Sequence, residues 1–306
     1  MPECDTELVN TSAAHKLLIV VAVALPFLGC IAAITLMWFA GWMSWLYLGL
    51  FLGGWIITAL GITIGFHRLL SHRSFESPSW VRAFWTSLGS IAGQGPPLVW
   101  CAMHRKHHER SDQPGDPHSP HQHGEGFWKS IGGFIHSHMG WLFTVGWNTK
   151  QTQRYVPDLL KDRVLVGINR YYFFWILLGL VVPAAIGFLI DGGWQGALLG
   201  LLWGGLARMF FLHHITWSVN SVCHVFGRRD YESADLSTNN FLIGLLAHGE
   251  GWHNNHHAFP TSARHGLKWW QFDLSWLVIR GMQFCGLARK VITPSRTAMA
   301  AKRLSD

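Results

Sequence analysis

The chain has 306 residues, of which 49% are hydrophobic and 13% charged, with 18 tryptophans, 19 histidines and a formal net charge of +7. It is too apolar and too poor in charge for a soluble domain of this length, so composition excludes an ordinary cytosolic enzyme and points to an integral membrane protein. Positive charge gathered on one side of a membrane accounts for most of the excess, and a basic face suits coenzyme A, phospholipid headgroups or an acidic carrier equally; nothing points to nucleic acid.

Residues 17–39 and 45–66 are each long enough to cross the hydrocarbon core, which takes about 20 residues. The first is too long for a secretory leader, and no small-residue cleavage site follows it. The second runs into HRLLSH, where His67 and His72 stand five residues apart. That spacing does not share a face of a regular α-helix, so the helix is predicted to end near Leu70 with His72 on the turn beyond. Residues 80–100 are nearly as apolar as a span, but SIAGQGPPLVW suits an interfacial or re-entrant segment. A crossing there would also put HRLLSH and the next motif, HRKHH, on opposite faces.

In HRKHH, His104, His107 and His108 fall at i, i+3 and i+4, one face of a helix, so all three side chains are expected to converge on a common point. His118, His121 and His123 follow in a Pro-rich segment that reads as a solvated loop. Residues 127–147 and 274–287 read as interfacial helices, the first carrying His136 and His138 as partners in a polar network. Residues 172–190 and 195–217 form a second pair of spans. Arg208, near the middle of the last, is by default a functional candidate, but reads here as a tie between helices through carbonyls; His213 and His214 beside it read as outer partners of the site. HNNHH then repeats the i, i+3, i+4 pattern with His253, His256 and His257.

The turns at 40–44 and 191–194 contain no Lys or Arg, whereas residues 67–170 contain twelve. The positive-inside rule therefore places both termini and all three histidine clusters in the cytoplasm. The expected architecture is a single all-α membrane domain over 1–306, with four transmembrane helices in two hairpins. A cytosolic helical cap, residues 67–171 and 218–306, holds a His-rich dimetal site.

Eight imidazoles exceed what one ion can take, so two metals are the economical reading; imidazole suits iron, zinc, copper and nickel. Soluble di-iron bundles use two Glu-x-x-His motifs, and this chain has one, Glu250 to His253. A bridging carboxylate is therefore not expected, and Glu250 reads as a residue that orients a histidine. HExxH is missing, which disfavours a zinc protease. Cys4, Cys30, Cys101, Cys223 and Cys285 form no CxxC pair, so neither a disulfide framework nor an iron–sulfur cluster is indicated. Without a GxGxxG loop either, electrons for any redox chemistry must come from another protein.

GITIGFHRLLSHRSF, HRKHHERSDQPGDPHSP, NSVCH and GEGWHNNHHAFPTSARHGLKWWQ, in this order between about Gly61 and Trp270, resemble the membrane fatty acyl desaturases. The similarity is closest to the delta-9 acyl-CoA branch and its bacterial relatives. It implies a four-helix stem under a cytosolic cap and a non-haem di-iron centre held by nine histidines: His67, His72, His104, His107, His108, His253, His256, His257 and, from NSVCH, His224. Asn220 would reach a metal through water, and zinc can replace iron in a recombinant preparation. It further implies O2-dependent formation of a cis double bond in a saturated long-chain acyl group, on coenzyme A before a lipid. The electron donor would be external, of ferredoxin, rubredoxin or cytochrome b5 type with a reductase, and the membrane the inner one if the source is bacterial.

Trp55 lies about 18 Å deeper than His67 at the α-helical rise, so Trp55, or Ala59 one turn nearer, is expected to close an acyl tunnel. Hydroxylases, alkane monooxygenases and carotenoid oxygenases share the histidine framework and stand as enzymatic alternatives. A metal transporter would want ionisable residues spread through the membrane depth, and these spans are nearly free of them.

Overall fold

The computed structural model describes residues 12–146 and 148–304. The chain ends expected in the cytoplasm, Cys4 and Trp147 lie outside the described residues. Those residues form helices of α, 3-10 and π type and no strand.

Three stretches are long and apolar enough to cross a membrane: Ala13–Ala40, Trp45–Ser71 and Tyr172–His224. Helix α1 (Ala13–Ala40) stops at Gly41, whose φ of +68° lets its N–H return to the Leu36 and Met37 carbonyls. Helix α2 (Trp45–Leu60) passes directly into a π-helix, Gly61–Ser71. The third stretch is folded on itself. At Gly192 and Gly193 φ is +79° and +70°, a conformation side chains resist, and Tyr172–Gly187 then packs along Gly193–Gly200. A Cβ on Gly200 would stand 2.1 Å from the Pro183 carbonyl oxygen, so these backbones touch.

The outward faces of these helices carry large exposed apolar side chains, among them Trp38, Phe39, Trp45, Leu189 and Trp194. Their inward faces pack on one another: Ala33 meets Leu202, Leu206 and Ala207. Arg208 is buried and donates to the carbonyls of Gly204, Ile91 and Gly179 at 3.2–3.3 Å. It ties three segments through carbonyls.

Residues 80–100 do not form one helix. Helix α3 (Ser79–Ile91) and helix α4 (Pro97–Arg110) are separated by a turn in which Gly93 and Gly95 have φ of +76° and +106°. Helix α3 lies against the π-helix, where a Cβ on Gly61 would be 2.2 Å from the Gly89 nitrogen and one on Gly65 2.7 Å from the Trp85 carbonyl oxygen. The turn then sends α4 back toward His67. The helix expected over 127–147 is observed over 127–144, with a π turn, His136–Gly140, between Phe127–Ile135 and Trp141–Thr144. The one expected over 274–287 runs Leu274–Phe284, capped by the Asp273 carboxylate, which accepts from the Trp276 N–H.

Candidate metal centre

The His67 helix ends within one residue of the expected Leu70, with His72 just beyond it, but the two side chains do not diverge. The π turn continues to Ser71, and the His72 N–H bonds to the His67 carbonyl, five residues back, at 3.1 Å. An i to i+5 spacing that diverges on a 3.6-residue helix is brought together on the wider turn, and the two imidazole rings lie 4.8 Å apart.

The nine histidines fall into two groups. In the first, one ring nitrogen from each of His67, His72, His104, His108 and His256 lies within 4.8 Å of the others; in the second the same holds for His107, His224, His253 and His257. The expectation that each HxxHH face converges on one point therefore fails. His104 and His108 belong to the first group and His107 to the second, while His253 and His257 belong to the second and His256 to the first. At 100° per residue, i and i+4 are about 40° apart around the axis but i+3 and i+4 about 100° apart. Each motif thus serves two neighbouring foci.

The inward atoms are the Nε2 nitrogens. His67 and His256 approach at 3.1 Å, His72 and His104 at 2.7 Å, His108 and His256 at 2.9 Å, and His224 and His253 at 3.1 Å. Behind the second group, the Nδ1–H of His107 donates to Asp116 (3.0 Å), that of His224 to Asp112 (2.8 Å), and that of His257 to Asp235. Such bonds fix the tautomer and leave Nε2 as a lone pair facing inward. The Nε2 atoms of His107 and His257 are buried and, among the described residues, have no hydrogen-bond partner.

Burial holds His72, His104, His108, His253 and His256 well below the usual imidazole pKa, and brings His257 down to about 4 against the pull of Asp235. These imidazoles are neutral at pH 7, the form that binds a cation. For His107 the direction differs: burial lowers it, but Asp116 outweighs burial and raises it. Asp112, Asp116 and Asp235 are held low in turn, because their histidine hydrogen bonds overcome the burial that would raise them. Orphaned inward nitrogens and neutral rings fit a metal site.

Glu250 stands behind the first group. Its carboxylate meets His67 Nδ1 at 2.5 Å and Arg68 at 2.5 Å, with His265 Nδ1 at 3.5 Å. Arg68 is fully buried and also donates to the Ala263 carbonyl (3.0 Å), the Thr63 carbonyl (3.3 Å) and Asp273 (3.1 Å). The solvated-loop reading fails at His118, which is buried with its ring 4.4 Å from that of His107 and is pushed down to about 3 by burial. Asp116 draws the loop under His107. His121 donates to the His224 carbonyl at 2.8 Å, and the exposed His123 packs on His136. His138 bonds to Ser221 and His214, each at 3.0 Å, and His213 to the Ala92 carbonyl.

Asp112, Asp116, Asp235, Asp273, Arg68 and His265 escaped the sequence reading. The only local signal was the pair of aspartates in HERSDQPGD directly after HRKHH.

An apolar cavity lined by Ala59, Ile62, Leu212, Ile215 and Val219 leads to His67, His104, His107, His253, Glu250 and Asn220. Ala59 is in its wall, but Trp55 is not. Trp55 packs against Phe211 and His248, with ring centres 5.4 and 5.1 Å away.

A family model described as fatty acid desaturase matches residues 40–285. The chain is 41% identical over 283 residues to a hex-5-enoyl-(acyl-carrier protein) acetylenase of Moorena producens, covering 92% of this chain and 87% of that one. It is 42% identical over 238 residues to an sn-1 stearoyl-lipid 9-desaturase of Anabaena variabilis, covering 78% and 80%. Over 269 residues it is 39% identical to an acyl-CoA 5-desaturase of Anemone leveillei, covering 87% and 76%.

Proposed function

The chain belongs to the fatty acid desaturase family, and from that premise we propose that it introduces a cis double bond into a saturated long-chain acyl group at a di-iron centre. The observation that carries this reading is the pair of histidine groups, Nε2 atoms inward, at the head of an apolar cavity. His67, His72, His104, His108 and His256 would hold one iron; His107, His224, His253 and His257, with Asn220 through water, would hold the other. When bound, the irons supply the O2-derived oxidising power that an unactivated methylene pair requires.

The protein's own work is positioning and drying. Ala59, Ile62, Leu212, Ile215 and Val219 offer the acyl chain an apolar wall, which fixes its depth and keeps water from the reacting carbons. Glu250, Asp112, Asp116 and Asp235 hold four of the imidazoles in one orientation. Electrons come from an external donor of ferredoxin, rubredoxin or cytochrome b5 type.

The Anabaena relative favours carbon 9 and a lipid-bound chain, whereas the sequence reading put coenzyme A first. The reversal at Gly192–Gly193 supports counting four spans in two hairpins. The basic middle segment supports a multi-pass inner-membrane protein with its site on the cytoplasmic face.

The test is a fatty-acid profile, resolved by lipid class and double-bond position, from desaturase-deficient cells expressing this chain or His256→Ala. Delta-9 monoenes should appear in glycerolipids and vanish in the variant. Monoenes appearing first on coenzyme A would overturn the lipid assignment. Hydroxylated products, or no new product from iron-loaded protein supplied with reduced donor, would overturn desaturation.

A further inference from the structure

The two histidine groups differ in what stands behind their ligands. In the four-histidine group, His107, His224 and His257 each donate Nδ1–H to a carboxylate, Asp116, Asp112 and Asp235. Those carboxylates are pinned by neutral donors. The Ser119 hydroxyl (2.7 Å) and the Leu236 N–H (3.0 Å) donate to Asp112, the N–H groups of Asp112 (2.9 Å) and His118 (3.1 Å) to Asp116, and the Ser237 hydroxyl (2.5 Å) to Asp235. In the five-histidine group one carboxylate, Glu250, meets one ligand, His67, and shares its charge with Arg68 at 2.5 Å. Each group also holds one buried ligand whose Nδ1 has no partner among the described residues, His256 in the larger and His253 in the smaller, so the difference lies in the carboxylates.

We propose that these are unequal metal sites, and that the group of His107, His224, His253 and His257 fills first and holds its ion more tightly. The inference rests on the dimetal reading above. Ligand number argues the other way, five nitrogens against four. The outer bonds decide it: each is typically worth about 10- to 100-fold in metal affinity, and the smaller group has two more of them. Its three carboxylates also place more negative charge beside a dication than Glu250 does next to Arg68. Asp112, Asp116 and Asp235 are positioning residues that sort the two ions.

The experiment is a titration of the full-length protein, stripped with a chelator in detergent, with Co2+ alone. Visible absorption and bound-metal analysis follow the binding, so no turnover is needed. Two equivalents are expected, the first at least about 10-fold tighter. Asp112→Asn should weaken the first by about 10- to 100-fold and spare the second; Glu250→Gln should weaken only the second. Equal affinities in the unmutated chain, a result that needs no variant to fold, would overturn the inequality and leave the dimetal reading standing. So would Glu250→Gln acting on the tighter ion. Fewer than two equivalents would overturn both.

Discussion

Arg68→Met is the sharpest test of how the π-helix Gly61–Ser71 is locked to the segments that carry Glu250 and Asp273. Arg68 is fully buried between Glu250 and Asp273, which are 7% and 4% exposed, so neither carboxylate can turn to water when the guanidinium goes. The substitution keeps most of the volume but removes contacts to Glu250 (2.5 Å), Asp273 (3.1 Å) and the Ala263 (3.0 Å) and Thr63 (3.3 Å) carbonyls. Removing one partner of a buried ion pair costs about 3–5 kcal/mol, a large share of a total stability of about 5–15 kcal/mol. Thermal unfolding in detergent should fall by on the order of 10 °C. Adding Glu250→Gln should restore at least about 1 kcal/mol, because a neutral amide is less costly to leave buried than an unpaired charge. A midpoint shift under about 2 °C for the single variant, or a double variant no more stable than the single, would refute the reasoning.

Gly200→Ala forces its Cβ onto the Pro183 carbonyl oxygen at 2.1 Å and should cost about 1–3 kcal/mol in the same assay, whereas Gly167→Ala, with open space at its Cβ, should not destabilise. Burial raises the Asp158 carboxyl, but hydrogen bonding and charge from Arg105, with Arg73, overcome it and hold it at about 2. A depressed carboxylate stabilises above its unfolded pKa of about 3.9 and loses that contribution as pH falls through the folded value. Asp158→Asn should therefore cost about 1–2 kcal/mol from pH 5 to 8, and an effect that grew between pH 5 and pH 8 would contradict the sign. Ala59→Phe fills the cavity wall and should shift product toward shorter chains in the fatty-acid profile. An unchanged profile would show that the acyl chain does not pass Ala59.

Much of the centre was legible because its signals are local. HxxHH is a helical face readable from spacing, and long apolar runs declare themselves by length. Where the reading failed, it relied on ideal geometry. His72 looked off-face because a 3.6-residue turn was assumed, while Gly61 and Gly65 let α3 press on the helix where it widens to a π turn. The 18 Å depth of Trp55 came from helix rise, but rise does not say which way a side chain points. Trp55 packs against Phe211 and His248 and is not among the residues lining the cavity, whereas Ala59 is.

The amino-acid order by itself determined the helical class, the apolar stretches, and eight of the nine histidines that the fold brings together, while the ninth, His224, followed only from the family resemblance. These depend on residue type and on spacing within a few turns. Only the tertiary structure decided that each HxxHH motif is divided between two groups, and which carboxylate stands behind each ring. Asp112 reaches His224 across 112 residues, and Arg68 reaches Asp273 across 205. Such pairings exist only once distant helices have packed, because a hydrogen bond is set by distance and angle in space and leaves no periodic trace along the chain.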